Sequence, residues 1–205
     1  KKELFRHDLA RHRTASDFLA ATIDGDLSTA RSLIRRFHEV SLYYANHSVN
    51  TAIYSLVMGK TLSFSSSQLK NLALATLLHN VGNIQIPDML LDKPGALTPE
   101  ERNFVQTHTL KGARILEWLS LPKEIVQTAM EHHEHMDGSG YPIQIAGNEI
   151  HLFARICSIA QTYDKLQSRS PYHEPLKMDD AKARILTNQE KYDPKLIEIL
   201  KNLQY

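Results

Sequence analysis

Periodicity is the first constraint on this chain. Across 26–58, Leu33, Ile34, Phe37, Val40, Leu42, Val49, Ile53, Leu56 and Val57 recur at mostly helical spacing, with a candidate break between Ser41 and His47. Nowhere later does that period give way to the two-residue alternation of a half-buried strand. A chain patterned this way buries its apolar surface by packing helix on helix, so the expected fold class is all-α. Local signals agree. Ser65-Ser66-Ser67 precedes an apolar segment at 68–79 that Gly82 stops. In LTPEERNF, Thr98 is the N-cap, Pro99 the first helical residue and Glu101 the third, a capping box that starts a helix running toward Trp118. Further helices are expected at 122–133, 152–166, 178–189 and 194–203, with loops at 86–99 and 138–147.

A length of 205 residues suits one domain with an appendage. The appendage is 1–26, basic at its start, with apolar Leu4, Phe5, Leu9, Phe18 and Leu19 and a turn at Asp24-Gly25-Asp26. It reads as a solvated helix joining the domain at 27–205 to an upstream region. The opening Lys-Lys, without Met, fits a piece cut from something longer. His7 and His12 are five apart, off the spacing that shares a helix face, and are not counted as ligands. A net charge of +1 gives no case for nucleic-acid binding. No run of about 18 apolar residues exists, so no membrane span is expected. Cys157 is the single cysteine, which excludes a disulfide framework and suits a reducing compartment.

The chemistry lies in the histidines. Of 11 in the chain, His47, His79, His108, His132 and His133 sit at telling places: His79 ends the run LALATLL, and His132-His133 end a helix before a glycine-rich loop. Neutral imidazole suits iron, manganese, zinc or nickel. Each histidine alone reads as a surface or hydrogen-bonded side chain rather than a ligand, and spacing does not bring them together without a fold.

HHEHMDGSGYP at 132–142 resembles the hallmark of the HD-GYP domain, a helical branch of the HD phosphohydrolase superfamily. KPGALTPEE at 93–101, THTLKGARIL at 107–116, IHLFARICSIAQTYDKL at 150–166 and SRSPY at 168–172 are similar to the family's pattern, in order. The resemblance implies an HD-type helical bundle with a central metal site. It also implies a cytoplasmic phosphodiesterase that opens cyclic di-GMP, and attachment to an upstream sensor domain. On that reading His47, His79, His108, His132 and His133 are the metal positions. Asp137, Gly138, Gly140, Tyr141, Pro142 and Arg169 form the ligand-binding set, with His173 where the family often has a second basic residue. Arg155 reads equally as an ion-pair residue or a ligand contact.

Three positions depart from the family. Asn80 stands where the resemblance implies a metal-bridging aspartate, Gln161 where it implies a second metal-binding aspartate, and Asn83 where it implies a lysine near the scissile phosphate. Tyr43 stands where members with an extra ion carry a carboxylate, so a third ion is not expected. Two divalent ions about 3.5 to 4 Å apart repel, and bridging carboxylates offset that repulsion. An amide oxygen is neutral and a weaker ligand. The expectation is a degenerate HD-GYP domain, impaired in catalysis and holding one divalent transition metal or none. It would serve as a cyclic di-GMP sensor or an interaction module for a partner such as a diguanylate cyclase. The alternative is a cyclic di-GMP phosphodiesterase with a reduced metal centre.

Overall fold

The computed structural model describes residues 43–168 and 174–203. The 1–26 appendage, the first half of the 26–58 run, Arg169 and His173 lie outside the described residues, as does the Tyr43 side chain. The described residues are helical, with no strand among them. The order is α1 (Tyr43–Thr61), α2 (Ser66–Leu78), a 3-10 turn (Val81–Gln85), α3 (Asp88–Leu91), α4 (Pro99–Gln106), α5 (His108–Trp118) and α6 (Lys123–Glu131). A 3-10 turn (Gly147–Glu149), α7 (Leu152–Gln167), α8 (Met178–Leu186), a 3-10 turn (Gln189–Lys191) and α9 (Pro194–Asn202) complete it.

The caps act as the sequence indicates. Ser65 accepts from Gln68 N, and the Gln68 side chain returns a bond to Ser65 N at 3.0 Å, which satisfies two orphan donors at the head of α2. Thr98 and Glu101 repeat this reciprocal pair at α4, with Pro99 in the first turn. The helix expected to run on to Trp118 is broken at Thr107. There the hydroxyl donates to Phe104 O at 2.6 Å and the backbone N–H also turns back to Phe104 O, tightening the last turn of α4. The loop expected at 86–99 contains the short α3. The candidate break before His47 is absent from its described part, since α1 is helical from Tyr43.

α1 packs on α2 and α7, and α6 lies against α2, α5 and α7. Ile53, Leu56 and Met58 of α1, Leu69 and Leu72 of α2, Leu116 of α5, Ile125 of α6 and Ile156 of α7 are fully enclosed. Tyr54 and Tyr163 meet edge to face at 5.1 Å across the α1–α7 seam. From Leu72 to Leu78 every residue of α2 is buried. A helix apolar on all sides belongs in the middle of a bundle, and this one carries His79 at its end into the interior. Cys157 is a buried core residue on α7.

Candidate metal centre

The histidines foreseen from the sequence do converge. Ring centroids lie 5.5 Å apart for His47 and His79, 5.0 Å for His79 and His132, 5.3 Å for His108 and His132, and 4.3 Å for His132 and His133. They arrive from different elements. His47 comes from α1, His79 from the end of α2, His108 from the start of α5, and His132 and His133 from the end of α6.

Four of the rings are set by what holds Nδ1. His79 Nδ1 lies 2.6 Å from Thr76 O, His108 Nδ1 2.9 Å from Val105 O and His132 Nδ1 2.9 Å from Ala129 O. His47 Nδ1 lies 2.6 Å from Asp164 Oδ2, and Asn50 Nδ2 donates to the other Asp164 oxygen at 2.8 Å. A carbonyl or carboxylate accepts, so each Nδ1 carries the hydrogen and each Nε2 keeps its lone pair. Outer partners of this kind fix tautomer and ring direction in histidine metal sites. Burial first, then mutual repulsion among the rings, holds His79, His132 and His133 well below the usual imidazole value. His108 is lowered to about 4, mainly by burial. The cluster is a set of neutral imidazoles.

One divalent ion fits this donor set. Ligand atoms of His108, His132 and His133 lie within 4.8 Å of one another. His108 Nε2 and His132 Nε2 are 3.3 Å apart, two acceptor nitrogens facing each other, an arrangement that a shared cation relieves. A carboxylate-bridged pair of ions does not fit. Asn80 Nδ2 lies 2.8 Å from His79 Nε2 and donates to it, occupying the lone pair a second ion would use. Gln161 Nε2 donates to His132 O at 2.9 Å, and Gln161 Oε1 accepts from Lys165 Nζ at 2.9 Å.

The glycine-rich loop is built onto this centre. A Cβ on Gly140 would lie 2.4 Å from Glu134 Cα and 2.6 Å from His133 O, so only glycine allows the two backbones to touch. That approach lets Tyr141 N donate to His133 O at 3.1 Å and stacks the Tyr141 ring on His133, with centroids 4.6 Å apart. Buried Glu134 accepts from Ile143 N at 2.6 Å and Gln144 N at 3.0 Å, holding the far side beyond Pro142. Gly138 has φ +77°, and exposed Asp137 binds Ser139 N and Oγ, so these two shape the loop. Gly82 has a similar role at the 3-10 turn: a Cβ there would lie 1.9 Å from His108 O. Asn80 and Asn83, with Ser48, Leu77, Ile84 and Leu91, line a cavity of about 270 Å³ on that side.

Sequence reasoning passed over Asp164, Lys165, Asn50 and Glu134. The first two share a face of α7 with Gln161, at the i+3 and i+4 positions, which is the signal that could have found them. Arg155 resolves as an ion-pair residue, donating to Asp193 at 2.6 Å and to Asn148 at 3.1 Å.

A helical bundle that gathers buried imidazoles from four helices around one point defines a histidine-centred type of helical domain with a candidate metal site. A family model described as HD domain matches residues 29–196, and the chain belongs to that family. It is similar to a 3'3'-cGAMP-specific phosphodiesterase of Vibrio cholerae, at 36% identity over 78% of this chain and 35% of the relative. A probable cyclic di-GMP phosphodiesterase of the same organism is 35% identical over 93% of this chain and 44% of its own length. The chain therefore spans less than half the length of these curated relatives. Among solved structures, Bd1817 of Bdellovibrio bacteriovorus, described as an HDG"Y"P protein, superposes with a TM-score of 0.79. It covers 96% of this chain and 63% of that one at 16% identity, a likeness of fold alone. The HD-GYP resemblance drawn from 132–142 stands with these matches. Among the described residues, no helix is long and apolar enough to cross a membrane.

Proposed function

We propose that this chain is a phosphodiesterase-type HD-GYP domain directed at cyclic dinucleotides of the cyclic di-GMP class, turning over slowly through a centre for one divalent ion. The observation that carries this reading is the approach of His108, His132 and His133 ligand atoms to within 4.8 Å of one another, beside the Tyr141 ring. Relatives named for hydrolysis of cyclic di-GMP and 3'3'-cGAMP support the substrate class, and favour a hydrolase over a domain with no activity. An ion of iron, manganese, zinc or nickel held by these imidazoles supplies Lewis acidity toward a phosphoryl oxygen. Tyr141 offers an aromatic face to a base, and Arg169, outside the described residues, is assigned the bidentate phosphate contact. Slow turnover follows from the amides at Asn80 and Gln161 and from Asn83, which places no cation beside the phosphate.

A second reading keeps the pocket for binding without turnover, as a sensor or as a docking module for a signalling protein such as a diguanylate cyclase. Gln161 favours it, because both ends of its amide are hydrogen-bonded within the protein. In either case 27–205 is taken as the domain and 1–26 as its link to an upstream sensor, in the cytoplasm.

Incubation of the purified chain with manganese or ferrous iron and cyclic di-GMP tests the two readings. Linear dinucleotide that accumulates slowly and stops on chelation is the expected result. Calorimetric binding with no product over hours selects the sensor. Turnover on the order of 1 per second or more overturns the slow centre.

A further inference from the structure

Lys165 has no part in the reading above, yet it stands at the centre. Its Nζ donates to Gln161 Oε1 at 2.9 Å, and the other end of that amide holds His132 O at 2.9 Å. The ammonium is thus tied through one side chain to the backbone of a central histidine. Lys165 also follows Asp164, whose carboxylate holds His47 Nδ1 at 2.6 Å, so α7 brings the ammonium and that carboxylate to the same cluster. Among the described residues, the carboxylate in hydrogen-bond contact with these rings is Asp164, at His47. Among these contacts one carboxylate is matched by one ammonium, so they supply no surplus negative charge to hold a second divalent ion.

We propose that the Lys165 ammonium is a tethered cation of this centre, taking the electrostatic place of a second divalent ion and limiting the histidine cluster to one. The amide at Gln161 is the matching half of this arrangement, because its oxygen accepts from the ammonium without demanding a metal. A carboxylate restored at position 161 would pair with Lys165 before it recruited an ion. Restoring acidic residues therefore does not rebuild a two-ion centre while Lys165 remains.

This proposal rests on the one-ion reading, and metal titration separates the two. Manganese affinity and metal atoms per chain are measured for the parent, for Lys165→Met, for Asn80→Asp with Gln161→Asp, and for those two changes with Lys165→Ala. Lys165→Met should bind manganese at least about tenfold more tightly than the parent, since a like charge is removed at similar side-chain volume. The double variant should stay at one ion or fewer, and the triple variant should reach two. Unchanged affinity in Lys165→Met, with one ion in the parent, overturns the tethered cation and leaves the one-ion reading intact. Two ions in the double variant overturn it as well. Absence of metal from the parent and from Lys165→Met overturns both. Should the triple variant lose its helical circular dichroism, the Lys165→Met titration decides alone.

Discussion

The Asn80 amide donates to His79 Nε2 at 2.8 Å, while Thr76 O takes the hydrogen of Nδ1. An asparagine that follows the histidine thereby occupies the ring nitrogen that faces the cluster. His79 is fully buried, and its ring is used at both nitrogens within two short segments of backbone. Ligand atoms of His108, His132 and His133 lie within 4.8 Å of one another, and among them His108 Nε2 and His132 Nε2 face each other at 3.3 Å.

His132 is the central ring of the set, in contact with His79, His108 and His133. His132→Ala should reduce affinity for a single divalent ion by at least about 100-fold, beyond the effect of losing an outer partner. Equilibrium titration with manganese reads this directly.

Acid should destabilise the fold through the same rings. The folded pKa of His108 is lowered to about 4, mainly by burial, from an ordinary value of 6.5. Between those values the unfolded chain binds more protons, so stability present above pH 6.5 is lost as pH falls toward 4. From pH 7 to pH 5 the His108 contribution falls by about 2 kcal/mol, and the other lowered histidines act in the same direction. Glu131, raised by burial, opposes this in part. Urea midpoints at the two pH values, without added metal, should show the net loss.

Asp164 is buried between His47 Nδ1 and Asn50 Nδ2. Asp164→Ala leaves both donors facing an apolar side chain and should cost about 3 kcal/mol. Denaturant unfolding checks the magnitude, and a spectroscopic titration should show weaker metal binding as His47 loses its orientation.

Gly140→Ala sets a carbon 2.4 Å from Glu134 Cα, a contact with backbone that no rotamer relieves. A loss of about 2–4 kcal/mol is expected, with the Tyr141 ring displaced from His133. Melting temperature gives the first quantity. Tyrosine fluorescence has no single assignment here, so ring displacement is read from the NMR shifts of His133.

Asn83 lines the cavity on the Asn80 side. Asn83→Lys should raise the slow turnover of cyclic di-GMP about tenfold, because a cation there meets charge that develops in the transition state. Its effect should fall on kcat more than on KM.

Fold class and helix order were legible because caps and apolar spacing are local. Ser65 with Gln68, and Thr98 with Glu101, form the boxes their spacing implies. The break at Thr107 was not legible, since a threonine hydroxyl bonding back to Phe104 O leaves no mark on periodicity. At the centre, the five histidines were found by position, but spacing did not show that Asp164 orients His47 or that Lys165 meets Gln161. A lysine on a helix ordinarily reads as a solvated face, and only packing of α7 against α1 and α6 reverses that.

Gly82 shows how differently neighbouring positions can drift. At 82 not even one carbon can be added without striking His108 O, whereas 80 and 83 line open space, where a side chain can be exchanged without moving the turn. The segment is a fixed mount with replaceable fittings. A reactive group can be taken from 80 or 83, or returned to it, while the glycine at 82 keeps the turn seated against His108.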